Sequence, residues 1–338
     1  MIAQSFYFVK WLHYAFTFLW KKVNKDNKGI LVSGLINLET NIKIRDFPIN
    51  YYPIDYSFFG VKSSVGGVGY NIAKSLSTLG DNVSLVSMLG NDFESQYVKS
   101  ELAKLNVNTE NISSNLKETP TSAVLFDSSG KRQIYCDLKD IQEKMYDCKN
   151  LNFDSYDIFA ICNINFNRQL LKAAKENGKI IVTDVHCLSN IYDEYNSDFM
   201  RYADILFLSD ELVPVNHEEF LLQLANEYDC KIIVLSQGSK GVLMYVQNDG
   251  CIYDIEAVKN DNVVNTVGAG DSLYSSFIHF YAKGFSPLEC IKYAQAYASN
   301  KISFNGASQG FISETELFKI AKPENIIHSV IDIKNKLD

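Results

Sequence analysis

Val263-Val264-Asn265-Thr266-Val267-Gly268-Ala269-Gly270-Asp271-Ser272-Leu273 carries a short apolar segment into a glycine turn and out into a helical pattern over 271–283, stopped by Gly284. Gly268, Ala269 and Gly270 have little or no side chain, so a ligand can approach the backbone there. Their N–H groups fall where the helix starts, and the first turn of a helix leaves its donors unpaired and positive. An anion, a phosphate above all, suits such a turn. Asp271 follows in the first turn, where a carboxylate can take the proton of a hydroxyl that attacks phosphorus. The competing reading is an ordinary Gly-rich turn with Asp271 as a helix cap, and the tetrapeptide alone does not separate the two.

The segments around this turn set the fold class. Apolar runs recur as GILVSG from residue 29, NVSLVSML at 82–89, YDIFAIC at 156–162, KIIVTD at 179–184, ADILFLS at 203–209 and KIIVLS at 231–236. They are rich in Ile, Val and Leu without alternation, which marks central strands covered on both faces. Helical patterns lie between them: 71–79, 93–105 with Asn91 or Asp92 as cap, 168–176 closing at Asn177-Gly178, 220–228, and 287–302. Strands alternating with helices predict an α/β fold with a mostly parallel sheet and right-handed crossovers. Two stretches break the rhythm. Residues 37–61 are aromatic and turn-rich, and residues 121–137 read as a β-hairpin around Asp127-Ser128-Ser129-Gly130. Together, over about 35–62 and 121–137, they predict a small β lid at the edge of the sheet.

The bulk properties are permissive. The chain has 338 residues, 46% hydrophobic and 21% charged, enough for a sizeable core. Its formal charge of −8 argues against a general nucleic-acid footprint. Seven cysteines, Cys136, Cys148, Cys162, Cys187, Cys230, Cys251 and Cys290, are scattered with no CxxC pair, which fits a reducing cytoplasm rather than a disulfide or zinc framework. Residues 1–20 are aromatic and apolar, but Gln4, Ser5, Lys10 and His13 interrupt them. A docked helix or a poorly ordered extension is preferred there over a membrane anchor. KKVNKDNKG over 21–29 is a linker, so 1–28 form an extension and 29–338 one catalytic domain.

Further glycine segments stand in order. Gly66-Gly67-Val68-Gly69-Tyr70-Asn71 opens a helix but is no dinucleotide fingerprint, because the third glycine would fall at Ile72. No GxxxxGK[ST] loop occurs. Leu89-Gly90-Asn91-Asp92 precedes another helix, and Ser236-Gln237-Gly238-Ser239-Lys240-Gly241 closes a buried strand.

In these motifs and their order the chain resembles the ribokinase-like sugar kinases, the PfkB carbohydrate kinases, over residues 29–311. The resemblance implies a ribokinase-like fold with a small β lid, and transfer of the ATP γ-phosphate to a hydroxyl of a sugar or nucleoside with Mg²⁺, a monovalent cation being optional. Carried over residue by residue, Asp271 is the base, and Gly268, Ala269 and Gly270 form the anion hole. Asn37, Glu39, Gly66, Gly67 and Asn71 hold the acceptor. Ser236, Gly238, Gly241, Asn265 and Thr266 line ATP, with Gln295 on the adenine side and Glu211 near the metal. Three positions depart from the family pattern. Asn265 replaces the leading Asp of the late motif. Leu208-Ser209-Asp210-Glu211-Leu212 replaces Asn-x-x-Glu. Glu39 replaces a shorter Asp. These departures also admit an alternative, a sugar- or nucleoside-binding sensor with weakened catalysis. The runs at 66–73 and 263–271, with Cys136-Asp137-Leu138, further resemble pseudouridine kinases.

Other features have two readings each. Asp184-Val185-His186 ends a buried strand and either touches Mg²⁺ or ATP or merely caps the next segment. Lys131-Arg132 either meets an anionic substrate or is a solvated hairpin tip. Lys240 either neutralises phosphate or is a surface lysine in a turn. Tyr51, Tyr52, Tyr56, Phe58 and Phe59 either stack on a base or serve packing, including a homodimer contact between lids.

Overall fold

Residues 29–33 are buried at every position, as a strand covered on both faces must be. The structure is a computed structural model that describes residues 29–333 except Gly130 and Val215; the readings of 1–28 lie outside the described residues. In chain order the strands are β1 (Gly29–Ser33), β2 (Asn37–Lys43), β3 (Val61–Gly66), β4 (Val83–Met88), β5 (Val107–Asn108), β6 (Ile112–Ser113), β7 (Thr121–Phe126), β8 (Arg132–Asp137), β9 (Tyr156–Ile161), β10 (Ile180–Cys187), β11 (Ile205–Ser209), β12 (Ile232–Ser236), β13 (Gly241–Val246), β14 (Cys251–Glu256) and β15 (His328–Asp332). The helices are α1 (Val68–Leu79), α2 (Phe93–Leu102), α3 (Arg168–Glu176), α4 (Ser197–Tyr202), α5 (His217–Glu227), α6 (Ala269–Ala282), α7 (Pro287–Lys301) and α8 (Glu314–Ile320).

The large sheet runs β15-β14-β13-β12-β11-β10-β9-β1-β4-β5, with β6 also on β4. It is parallel from β12 to β5 and antiparallel from β12 to β15. Each predicted apolar run is one of its strands. The β13–β14 hairpin was not read from the sequence, although Gln247-Asn248-Asp249-Gly250, with Gly250 at φ 61, is its turn signal.

Strand side chains alternate, so even a fully apolar strand feeds two separate cores. Val32, Ala160 and Val182 join Ile72, Leu76, Phe277, Tyr297 and Leu317 on the face covered by α1, α6, α7 and α8. Leu31, Phe159 and Leu206 join Leu170, Phe199 and Phe220 on the opposite face under α3, α4 and α5. Each large buried side chain contributes roughly 1.5–3 kcal/mol. Between the open α/β unit and solvent sits a second sheet, β3-β2-β7-β8, with β2 parallel to β7 and the other pairs antiparallel. The predicted hairpin is β7–β8. The stretch 37–61, read as turn-rich, begins with β2, whose polar sequence NLETNIK disguised it, and its partner β3 continues to Gly66.

The α2 cap is Asp92, which accepts from Ser95 N at 2.9 Å and also from Thr119 N at 2.6 Å. The helix ends at Leu102, short of the predicted 105.

One buried charge cluster ties α6 to its surroundings. His279 is fully buried, its Nδ1 lies 2.8 Å from Asp81 Oδ2, and its Nε2 stands a looser 3.4 Å from Glu314 Oε1. Burial opposes its charge, but the two carboxylates outweigh burial and raise its pKa above the ordinary 6.5. Burial likewise opposes the Glu314 charge, yet His279 and Lys283 hold that pKa at about 2 rather than 4.5. The histidine contribution is complete below pH 6.5 and is lost as pH rises through the raised value. The Glu314 contribution is complete above pH 4.5 and is lost as pH falls towards 2. The cluster therefore favours folding most between those limits. His279→Ala is expected to lower stability by on the order of 3 kcal/mol at pH 6, because it strands buried carboxylates, and to lessen the decline of Tm towards alkaline pH; thermal melts across pH check both.

Candidate active site

In an open parallel sheet, ligands meet the protein beyond the carboxyl ends of the strands. Here the ends of β10, β11 and β12 deliver Asp184–Cys187, Ser209–Glu211 and Ser236, and the glycine turn before α6 lies against the same edge. That helix starts at Ala269, two residues before the predicted start, with Gly268 as its cap at φ 78. A methyl group on Gly268 would lie 2.3 Å from Ala307 O, so glycine is required by both conformation and space. Added at Gly270, it would meet nothing within 4 Å, which leaves that backbone open to a ligand.

The turn is pinned to the end of α7. Val264 N and Asn265 N donate to Ile302 O at 2.8 and 3.1 Å. Asn265 Oδ1 accepts from Val267 N at 2.8 Å, and its Nδ2 donates to Asn305 Oδ1 at 2.9 Å. An aspartate could make only the first of these two side-chain bonds with its acceptor oxygens. Thr266 is exposed, and its carbonyl accepts from Ala269 N at 3.1 Å, so that one N–H of the turn is engaged. Lys301, fully buried, donates from Nζ to Val267 O.

Asp271 sits half-buried in the first turn of α6 and accepts from Asn71 Nδ2 at 2.8 Å through Oδ2. Desolvation raises its pKa, and the Asn71 hydrogen bond and the charges of His186 and Lys301 only partly offset this, while Asp184 adds to it. The buried Asn71 has a second polar atom, Oδ1, without a protein partner. Asn71 was expected on the acceptor; its amide nitrogen is engaged by Asp271, while its carbonyl oxygen has no protein partner.

The lid contributes from β2 and β3. Asn37 is buried, donates from Nδ2 to Ser122 Oγ at 2.9 Å, and leaves Oδ1 unpartnered. It pairs in register with Gly66, and a methyl on Gly66 would crowd Asn37 Oδ1 at 3.2 Å and Glu39 Oε2 at 3.4 Å. Glu39 Oε1 accepts from Asn41 Nδ2 at 2.9 Å. Gly67 takes φ 93 with Leu35 O in the space of a side chain, which turns β3 sharply into α1.

On the opposite side, Ser236 Oγ donates to Leu208 O at 3.3 Å, and Gln237 N to Gly241 O closes the 236–241 turn. Gly238 has open space at φ 57, whereas Gly241, at φ 113, has Ile255 O against it. Gln295 points inward, donating to Ile255 O at 3.3 Å; its neighbour Ala296 lines a cavity of about 310 Å³ with Val258 and Ile326.

Burial pushes the Cys187 thiol up to about 11, helped by the charges of Glu211, Asp184 and Asp210 at the ends of β10 and β11. Glu211 is exposed and accepts from Cys187 Sγ at 3.5 Å. His186 takes φ 59, a strained value for a residue with a side chain. Among the described residues no three His, Cys, Asp or Glu side chains close on a metal-sized point. These oxygens suit Mg²⁺ held chiefly by phosphates and water, the usual habit of that ion, and do not form a dedicated cage.

One residue beside the turn, Lys301, escaped the sequence reading. Lys301 follows Ala294 and Tyr297 on one buried helical stripe, and an ionisable residue on such a stripe was the available signal. Arg132 is exposed on β8, yet its charge reaches Lys301 and helps depress that lysine. Lys240 and the aromatic segment stay at the surface, with Tyr51, Phe58 and Phe59 largely exposed.

Residues 39–314 match the pattern of the pfkB family carbohydrate kinases. The chain belongs to this family. Among pfkB relatives, it is 23% identical over 249 residues to the nucleoside kinase of Methanocaldococcus jannaschii, covering 71% of this chain and 80% of that one. It is 25% identical over 322 residues to the ribokinase of Dictyostelium discoideum, covering 86% and 99%. The solved ribokinase of Arabidopsis thaliana in complex with ribose and ATP superposes with a TM-score of 0.74 at 20% identity, over 87% of this chain and 98% of that one. The ribokinase-like fold read from the sequence is thus the fold observed. This pfkB chain is a carbohydrate or nucleoside kinase, and kinases of its family use ATP. No helix among its described residues is long and apolar enough to cross a membrane.

Proposed function

We propose that the chain transfers the γ-phosphoryl group of ATP in line to a hydroxyl of a neutral sugar or nucleoside, with Asp271 as general base. The observation that carries this reading is Asp271 itself: a desolvated carboxylate, oriented by Asn71, at the mouth of a glycine turn. The acceptor oxygen attacks γ-phosphorus, its proton passes to Asp271, and the bond to the departing ADP breaks with its electron pair staying on ADP. Gly268 and Gly270 offer backbone to the transferred group. Asn37 Oδ1 and Asn71 Oδ1 are buried acceptors awaiting donors, which acceptor hydroxyls provide; leaving them unmet costs about 1–3 kcal/mol each. Glu39 adds a third acceptor, so the pocket favours polyhydroxyl compounds over phosphorylated ones.

The adenine end of ATP is assigned to the cavity beside Ala296, Val258 and Ile326, with Ser236, Gly238 and Thr266 towards the ribose and phosphates. Gly241 serves the turn, and Gln295 supports the cavity wall from behind. Glu211 and Asp184, with Asp210, would hold Mg²⁺ through water; when bound, the ion neutralises charge on the phosphates. Glu211→Gln combined with Asp184→Asn is expected to raise the Mg²⁺ concentration for half-maximal activity by about 10–100-fold with little change in acceptor KM, measured by Mg²⁺ titration of initial rates. Asn265 keeps the turn closed through Val267 N, so the loss of the family aspartate does not favour a sensor over a kinase. The exposed aromatic segment around Tyr51 and Phe59 offers a surface for a second copy of the lid. An acceptor panel of ribose, fructose, fructose phosphates, adenosine, inosine and pseudouridine, followed by ADP release, tests the assignment; turnover with the fructose phosphates alone would contradict a neutral acceptor.

A further inference from the structure

We infer that Lys301 is a positioning residue for phosphoryl transfer, its ammonium fixing the glycine turn through Val267 O and placing a positive charge behind the transferred group at neutral pH. The inference rests on the reading of Asp271 and the glycine turn as the catalytic centre.

Lys301 has no exposed surface. A lysine this buried is normally paired with a carboxylate, because an isolated interior charge is costly. Its hydrogen bond instead goes to a main-chain carbonyl, that of Val267, one residue before the Gly268 cap. The next residue, Ile302, accepts from Val264 N and Asn265 N. Lys301 and Ile302 therefore hold both ends of the 264–267 segment from the last turn of α7, where the helix dipole also favours a cation. A polar clamp of two main-chain N–H groups and one ammonium sets where Gly268 and Gly270 lie.

The electrostatics point the same way. Asp271, from α6, favours the Lys301 charge, and Arg132, from the lid, opposes it. Asp271 in turn faces Asn71, His186 and Asp184. Lys301 thus stands between the opposing influences of the Asp271 carboxylate and the Arg132 guanidinium. Burial lowers the Lys301 pKa to about 8, against the pull of Asp271. In the transfer step Lys301 neither gives nor takes a proton. The hydroxyl proton goes to Asp271, and the electron pair of the broken P–O bond goes to ADP. The ammonium keeps the turn in the geometry, and the field, that the charge on the transferred group requires.

Lys301→Met preserves length and removes the charge. It is expected to lower kcat by about 10²-fold, the scale of losing one preorganised electrostatic group, with little change in acceptor KM. Its Tm is expected to be equal or higher, since an unpaired buried charge is gone. In the unaltered chain, kcat/KM for ATP falls as pH rises past about 8, as the lysine discharges; in Lys301→Met this fall is absent. Lys301→Ala leaves a space that ammonium or methylammonium can enter, restoring much of kcat, whereas trimethylammonium does not. A lowered Tm with no rescue by ammonium would make the lysine structural, and unchanged kcat in Lys301→Met would make it irrelevant; either overturns the inference while the kinase reading stands. No turnover of any acceptor by the unaltered chain would instead overturn the kinase reading and this inference with it.

Discussion

Asp271→Asn is expected to lower kcat by about 10²–10⁴-fold, the usual loss when a positioned base is removed, with the fold and ATP binding retained. The substitution is nearly isosteric, and the side-chain oxygen of asparagine can still accept from Asn71 Nδ2, which now reaches the carboxylate at 2.8 Å. What disappears is the capacity to take a proton. The pKa direction sharpens the expectation. Desolvation raises the Asp271 pKa, so its folded value exceeds its unfolded one. A carboxylate shifted this way opposes folding when ionised: its cost is complete above the folded pKa and vanishes below the unfolded one. Asp271→Asn therefore has a Tm equal to or above the parent at neutral pH, even as activity collapses. The parent kcat/KM falls on the acid side as pH drops through that raised pKa, and thermal melts with a pH–rate profile check both signs.

The second large effect is expected at Gly268. Gly268→Ala must place a methyl 2.3 Å from Ala307 O at φ 78, and the obstacle is backbone rather than a flexible side-chain end. Strain of this kind costs on the order of 2–3 kcal/mol, and relieving it moves the turn proposed to meet the phosphates, so kcat is expected to fall by about 10²-fold as well. Gly270→Ala isolates the two effects. Its methyl meets no protein atom within 4 Å, so Tm is unchanged or higher, while the KM for ATP rises because the methyl occupies the approach to the backbone. Differential scanning calorimetry with initial-rate kinetics on the pair measures the contrast.

The parallel strands were legible because each is an unbroken apolar run, and the glycine turn because small residues, a helix start and an aspartate coincide there. What stayed hidden had a physical reason. β2 is polar because the lid sheet is half-solvated, so residues 37–61 read as a turn-rich lid segment without strand bounds. That the Asn71 amide nitrogen also binds Asp271 was not legible, because it is a contact between residues 200 apart that no local pattern encodes. Lys301 is a single ionisable residue in the last turn of a helix, where lysine is ordinarily solvated, and only the packing of the 264–267 segment against α7 turns it inward. Gln295 was placed on the adenine side by counting back from Gly306-Ala307, a count that could not show its amide turned to Ile255 O or Ala296 on a cavity wall.

The central claim is acceptor phosphorylation through Asp271. It is tested most directly by mixing ATP, Mg²⁺ and each member of the acceptor panel with the parent chain and with Asp271→Asn, and quantifying ADP and phosphorylated acceptor by mass spectrometry. Equal amounts of ADP and phospho-acceptor are expected for at least one neutral sugar or nucleoside, almost abolished in Asp271→Asn. Undiminished turnover in Asp271→Asn, or ADP formation indifferent to every acceptor, would contradict the claim.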